Sequence, residues 1–460
     1  MKLSKIEITN FRCFESVSLS LKPDVNVIVG INGAGKTTIL DAIAIALIDI
    51  IGSNGYVGRK MLQVTDIHVD PTSKEESIGR RNFMQLRVVV QDFYPLENFP
   101  SYSPHKPPPV LLEWSRRIDY HPPSGLGYGC GVGKDAVSIA DYYKALWQEI
   151  QKAGPEALIP LPVIAYYRAT RAIAAMPDLG EVFRKKLERK DAFQNALNAG
   201  ADYQALCQWF YLRENNEVRD RLIHRDTPDF QYPDLQAVRS AVSTVIGNVK
   251  RIYFEGTPPS LRVELTDPHD GLSSFEIEQL SDGYRNLLAL VMDFARRLAQ
   301  AHPNWLNPLE APGILLIDEI ELHLHPGWQQ TVIPNLRAAF PNTQIIAATH
   351  SPEVLTTVRR ENIHLLGADH GIETLPADVG TFGAESSRVL QEVFSVPSRP
   401  RILGISQQLD EYLALVESRQ QDTERGRELR ATLENALGQS DPDLHLADAR
   451  ISQIKALGGR

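Results

Sequence analysis

Cysteine is scarce in this chain: Cys13, Cys130 and Cys207 are the only three in 460 residues, and they are scattered without the paired spacing of a zinc site. Their number excludes a disulfide framework and points to a reducing compartment, so a cytoplasmic protein is expected. Long apolar runs are also missing. The longest, Ile39 to Ile51, is broken by Asp41 and Asp49, so no segment reads as a membrane span. The alternating start MKLSKIEITNF has no signal-peptide core. Nor is there an excess of positive charge: a net charge of −9 advertises no nucleic-acid surface. The basic run of Arg184, Lys185, Lys186, Arg189 and Lys190 reads first as a solvated helix face. Apolar residues make up 43% of the chain, enough for two or three folded units.

What is present begins with GINGAGKTT, Gly30 to Thr38, which meets the phosphate-loop pattern at Gly30, Gly35, Lys36 and Thr37. Val25, Val27, Ile28 and Val29 upstream suit a strand buried on both faces, and TILDAIAIALIDII downstream reads as a helix. In that setting backbone N–H groups around Asn32, Gly33, Ala34 and Gly35 turn toward phosphate oxygens, with Lys36 as a point cation and Thr38 at the helix start. Thr37 is the candidate magnesium ligand.

A late apolar strand, Ile314 to Ile317, ends in Asp318 and Glu319. Asp318 at the strand end can reach a magnesium shell, and Glu319, one residue on, can orient and deprotonate an attacking water. The next strand, Ile345 to Ala348, runs into Thr349 and His350 ahead of a proline-started helix. Carboxyl strand ends line the ligand crevice of a parallel sheet, so His350 is a candidate contact to the γ-phosphate or the water. Between loop and acid pair, Leu280 to Arg285 read LSDGYR at the head of the helical run NLLALVMDFARRL. A Ser-x-Gly turn at a helix start suggests a second phosphate grip, through Ser281 and Gly283.

These four motifs, in this order, resemble the ABC-type ATPase heads of the SMC and RecF group. The resemblance implies an α/β fold: an ABC-type P-loop NTPase head with a mixed sheet. It also implies ATP and Mg2+ as cofactors and a homo-oligomer, at least a head-to-head dimer, in which Ser281 and Gly283 act in trans. Asn10, Phe11 and Arg12 match a family element whose arginine approaches the phosphates. Asp282 stands where transporters carry glycine, and Gln85 and Gln91 are both candidates for a glutamine loop. The strand LPVIAYYRATR and a helical tail without a nuclease domain extend the likeness, over nearly the whole chain, to the stand-alone ATPases of bacterial antiphage systems of the Septu type. Some members of that group are associated with retrons. That likeness implies an ATPase that controls a separately encoded HNH nuclease partner, with nucleic acid contacted through the complex. Two other readings stay open: a RecF-like DNA-repair ATPase, and a switch that binds nucleotide without hydrolysing it.

Along the chain, residues 1–175 are expected to form a first lobe, with a proline- and glycine-rich excursion near 99–135. Residues 178–247 read as a short helical insertion, too short for a long coiled-coil arm. A second lobe follows over 250–400, then a helical appendage over 401–460 for a partner or oligomerisation. The appendage's helices, marked by Leu409, Leu433 and Ala447 among others, either pack on their own head or face another protein. GLGYGCGVGK (125–134) mimics a phosphate loop but has Tyr128 where glycine is required, and reads as a surface loop. His323 and His325 read as interface or packing residues, and Asp441 and Asp443 as a turn with a helix cap.

Overall fold

The computed structural model describes residues 1–52, 64–68, 83–91, 112–121, 125–131, 139–154, 157–169, 179, 182–184, 187–198, 202–223, 230–267 and 271–458. Strands β1 (Lys2–Phe11), β2 (Phe14–Ser20) and β3 (Val25–Gly30) lead into α1 (Lys36–Gly52). Then come β4 (Phe83–Gln91), β5 (Leu112–His121), β6 (Gly125–Gly131), α2 (Ile139–Ala153) and β7 (Val163–Tyr167). Helices α3 (Tyr203–Ile223) and α4 (Pro233–Val245) precede β8 (Val249–Glu255), β9 (Ser260–Asp267) and β10 (Gly271–Glu276). The chain continues through α5 (Asp282–Ala301), β11 (Gly313–Ile317), α6 (Pro326–Gln329), α7 (Val332–Ala339) and β12 (Thr343–Thr349). It then forms α8 (Pro352–Leu355), β13 (Ile363–Leu366), β14 (Ile372–Glu373), α9 (Ser386–Phe394), α10 (Gly404–Glu417), α11 (Glu424–Leu437) and α12 (Pro442–Gly458).

Two compact units result, residues 1–386 and 387–460. In the first, a six-stranded sheet runs in the order β14-β13-β3-β12-β11-β7, all parallel except the short edge strand β14. Every residue of β3, β7, β11 and β12 is buried, as expected for strands covered on both faces. A five-stranded antiparallel sheet, β2-β1-β4-β5-β6, and a three-stranded one, β10-β9-β8, accompany it. Their chemistry differs. In β2 buried and exposed residues alternate, the signature of a sheet wetted on one side.

Helix α1 contacts β3, β11 and β12 of the parallel sheet and β4 and β5 of the antiparallel one. It is accordingly apolar around most of its circumference, with Ile39, Leu40, Ile43 and Leu47 all buried. Helix α5 packs on α4 and β7. Neighbouring side chains of a strand point to opposite faces, and β7 uses this directly. Tyr166 gives its hydroxyl hydrogen to Asp41 of α1 at 3.0 Å, and Tyr167 gives its own to Asp293 of α5 at 2.7 Å. One strand thus pins one helix on each face of the sheet.

The glycine-rich stretch expected as a loop is instead largely strand. Residues 125–131 form β6, paired along its length with β5, from Ser115 opposite Gly131 to His121 opposite Gly125. The pairing partner overrides poor intrinsic strand propensity. Residues 99–111, 122–124 and 132–135 of the excursion lie outside the described residues.

In the second unit, α10, α11 and α12 close on one another around Leu409, Tyr412, Val416, Leu429, Leu433, Leu444 and Ala447. These residues bury against one another within the unit, while Leu446 of α12 and Leu403 at the start of α10 stay exposed. Asp441 accepts hydrogen bonds from the backbone N–H groups of Asp443 (3.0 Å) and Leu444 (3.4 Å), and Arg399 bridges both aspartates. The pair is a helix cap tied to an arginine.

Candidate nucleotide site

Strand β3 delivers the chain to Gly30 at the crevice edge of the parallel sheet. The loop then turns through Gly33 at φ 82° and Gly35 at φ 110°, left-handed conformations that a side chain would strain. At Gly35 a Cβ would also come 2.7 Å from the ring of Phe14. Lys36 is buried beneath the loop and donates to the carbonyl oxygens of Gly30 (2.9 Å) and Ile31 (3.0 Å). Burial holds its pKa below the usual lysine value, against the pull of Asp318, Glu321 and Glu319. From outside, the His370 ring donates to the carbonyl of Ala34 at 2.8 Å.

The acid strand meets this loop directly. The hydroxyl of Thr37 donates to Asp318 Oδ2 at 2.9 Å, joining residues 281 positions apart in sequence. Burial raises the Asp318 pKa, with the Thr37 bond opposing it. Glu319 follows with φ 46°, an unusual backbone state for a residue with a side chain. The backbone N–H of Ile320 donates to Ala348 O at 3.1 Å, fastening the chain after the acid pair to β12.

His350 stands just past the end of β12, half-buried, with its pKa lowered by burial and then by Lys36, while Glu321, Glu319 and Asp318 pull it back up. Its position is fixed by a residue that sequence reasoning passed over. Glu321 accepts from the backbone N–H of His350 at 2.6 Å and from the Thr349 hydroxyl at 2.7 Å. The only sequence signal was a third acid, two residues past Glu319.

Ser281, the N-cap of α5, is exposed and makes no hydrogen bond among the described residues through its side chain. Gly283 behaves differently. It is buried, and a Cβ there would fall 2.3 Å from the carbonyl oxygen of His323. The glycine expected to reach a partner's nucleotide therefore has a steric duty inside its own chain: α5 can approach the segment after the acid pair only without a side chain. Tyr284 reinforces this contact, with its ring edge-on to Trp328 at 4.3 Å and its hydroxyl accepting from Asn248 at 2.6 Å. Asp282 now has a physical account: it lies in the first turn of α5, where the helix dipole favours an acid, and pairs with Arg285. His323 and His325 are both exposed; the His323 carbonyl meets Gly283, and His325 caps α6 by accepting from Gly327 N at 3.2 Å. Gln85 and Gln91 both stand on β4.

Arg12 is engaged within its own chain. Its guanidinium pairs with Asp41 (2.5 Å) and Asp66 (2.9 Å), and Asp41, fully buried, also holds Arg168 and Tyr166. The guanidinium expected to approach the phosphates bonds these carboxylates through its Nε and Nη1. Asp41 was visible in the sequence only as a break in an apolar helix. Of the basic run, Lys185 and Lys186 lie outside the described residues; Arg189 donates to the carbonyls of Ala301 (2.7 Å) and Ile159 (3.1 Å), and Lys190 pairs with Glu188.

The loop suits a polyphosphate. Ile31, Asn32 and Gly33 are exposed at its rim above the buried ammonium. Thr37 and Asp318 supply the hard oxygen donors that magnesium takes, usually with phosphate oxygens and water completing its shell. Among the described residues no three His, Cys, Asp or Glu gather as a metal cluster, so an ion here would have few protein ligands. None of the described helices is long and apolar enough to cross a membrane.

Two family models match the chain: an "AAA ATPase domain" over residues 1–77, and an "AAA domain, putative AbiEii toxin, Type IV TA system" over residues 183–356. The chain is similar to the Retron Ec83 probable ATPase of Escherichia coli, 29% identical over 96% of this chain and 85% of that protein. It is similar to the Retron Vc95 probable ATPase of Vibrio cholerae serotype O1 biovar El Tor at 26%, over 94% and 87%. A Septu protein PtuA of Bacillus mycoides (strain KBAB4) is 44% identical over 77 residues, 17% of this chain and 10% of that protein. The full-length likeness is thus to the retron ATPases, and the match to this PtuA is confined to one segment.

Proposed function

We propose that this chain is an ABC-type ATPase of the SMC, RecF and OLD-like group with similarity to PtuA, and that it hydrolyses MgATP at a site completed by a second copy of itself. In this reading the loop from Asn32 to Gly35 binds phosphates by its backbone, Lys36 neutralises them, and Thr37 and Asp318 hold the ion. The magnesium ion, when bound, offsets the phosphate charge. Glu319 orients the attacking water and takes its proton, and His350 faces the γ-phosphate. Ser281 reaches the nucleotide of the partner copy. The observation that carries the proposal is the Thr37–Asp318 bond, which unites the phosphate loop with the acid strand, beside a signature serine left exposed.

Its biological setting is proposed from the relatives. Similarity to retron ATPases and to a Septu protein PtuA supports a defence-associated setting, and the reading extends from there to antiphage defence in the cytoplasm with control of a separately encoded HNH nuclease. Glu319→Gln tests the chemistry: turnover should fall by roughly 10²-fold or more, with nucleotide binding kept. If neither parent nor variant turns over ATP while ATP still drives assembly, the hydrolase reading fails and ATP is oligomer glue. Co-purification with the product of a neighbouring gene tests the setting. A stable complex with an HNH protein supports it; salt-sensitive DNA binding without one contradicts it.

A further inference from the structure

The segment after the acid pair turns twice, Leu322 N donating to Glu319 O at 3.0 Å and Leu324 N to Glu321 O at 2.9 Å. This brings the Glu321 carboxylate under the end of β12. There the sheet ladder has stopped, and the backbone N–H of His350 needs an acceptor. One carboxylate oxygen takes that N–H at 2.6 Å and the other takes the Thr349 hydroxyl at 2.7 Å. The Thr349 oxygen in turn accepts from Ser351 N at 3.0 Å. The next contact repeats the pattern from further along the same segment: the Ser351 hydroxyl donates to Gln329 Oε1 at 2.7 Å, and Gln329 Nε2 donates to Leu324 O at 2.8 Å. Residues 349–351 are therefore held on successive atoms by the stretch 321–329.

We propose that Glu321 is a positioning residue for ATP hydrolysis, holding His350 in register with the nucleotide by bonding the backbone on which it is mounted. Each oxygen of Glu321 is occupied by a donor of its own chain, which separates its role from the base role of Glu319. Bonds to an ionised carboxylate are about twice as strong as neutral ones, so the clamp is stiff. A displacement of about 1 Å at a reacting geometry can cost about 10²-fold in rate, which sets the scale. The inference rests on the assignment of His350 to the γ-phosphate.

The test is a double-mutant cycle on the full chain, with kcat and KM for MgATP measured for the parent, Glu321→Ala, Glu321→Gln, His350→Ala and the double alanine variant. Glu321→Ala should lower kcat by roughly 10- to 100-fold with KM changed by less than about 3-fold. Glu321→Gln keeps an acceptor for the His350 N–H and a partner for the Thr349 hydroxyl, so it should restore most of the loss. The double variant should be no slower than His350→Ala alone. Losses that multiply in the double variant, or a glutamine variant as slow as the alanine one, would overturn the positioning role. If His350→Ala retains full turnover, the histidine assignment fails; if it is slow and Glu321→Ala is not, the failure is that of Glu321 alone.

Discussion

Helix α1 starts at the phosphate loop and α5 at the turn of residues 281–283, and they are secured by different means. Helix α1 is largely apolar and carries a buried acid, Asp41, shared among Arg12, Arg168 and Tyr166. Helix α5 carries a buried ionic group of its own: Asp293 binds Arg296 (2.7 Å) and Arg297 (2.9 Å) together with Tyr167. Their leading residues differ as well. Lys36 and Thr37 of α1 are already bonded to the loop carbonyls and to Asp318, whereas Ser281 at the head of α5 is exposed and its hydroxyl makes no hydrogen bond among the described residues. One helix start is thus tied into its own chain and the other is left exposed, and the proposed completion of the site by a second copy rests on that contrast.

The anchoring of α5 offers the largest effect by which this contrast can be broken. Burial alone would raise the Asp293 pKa, but Arg297 and Arg296 bring it down to about 2, so the carboxylate is charged and paired at neutral pH. Asp293→Ala leaves two arginines buried without it and should cost about 3–5 kcal/mol in urea unfolding. A cost below about 1 kcal/mol would mean that α5 is not held by this group.

Next in size is a pH effect at the other end of α5. His302 is buried, accepting from Leu161 N at 2.9 Å and donating to Leu298 O at 2.8 Å, and burial lowers its pKa from 6.5 to about 4. The unfolded chain binds the proton more readily, so this contribution is complete above pH 6.5 and is lost as pH falls toward 4. It amounts to about 3 kcal/mol. His364, lowered likewise to about 4 by burial, acts in the same direction. His302→Gln should flatten the fall in unfolding free energy between pH 7 and pH 5; an unchanged slope would contradict the buried neutral imidazole. The smallest effect is at Asp282. Its exposed pair with Arg285 and its place in the first helical turn are worth a few tenths of a kcal/mol, so Asp282→Ala should shift stability by about 0.5 kcal/mol or less, and less still in high salt.

The strands and helices around residues 30–38, Asp318, His350 and Ser281 were legible because each is a local pattern of strand, turn and helix. The tail helices were legible for the same reason, their apolar positions recurring at helical spacing. What could not be read depends on which strand lies beside which. Tyr166 and Tyr167 look like two residues of an apolar strand, and only the sheet order shows that each binds an aspartate on a different helix. Gly283 looked like a ligand-binding glycine, and only the fold places His323 against it. Glu321 required the turn that carries it under β12. The glycine-rich β6 opposed its own local propensity and was set by its pairing with β5.

The central claim is that Ser281 serves a neighbour's nucleotide, and it is tested most directly by Ser281→Arg in a Glu319→Gln background. Sedimentation with and without ATP reads assembly, and a fluorescent nucleotide reads binding. The account predicts that ATP-driven association is lost while nucleotide affinity stays within about 3-fold of the parent, since the chain's own loop is untouched. Association that survives the substitution would contradict it.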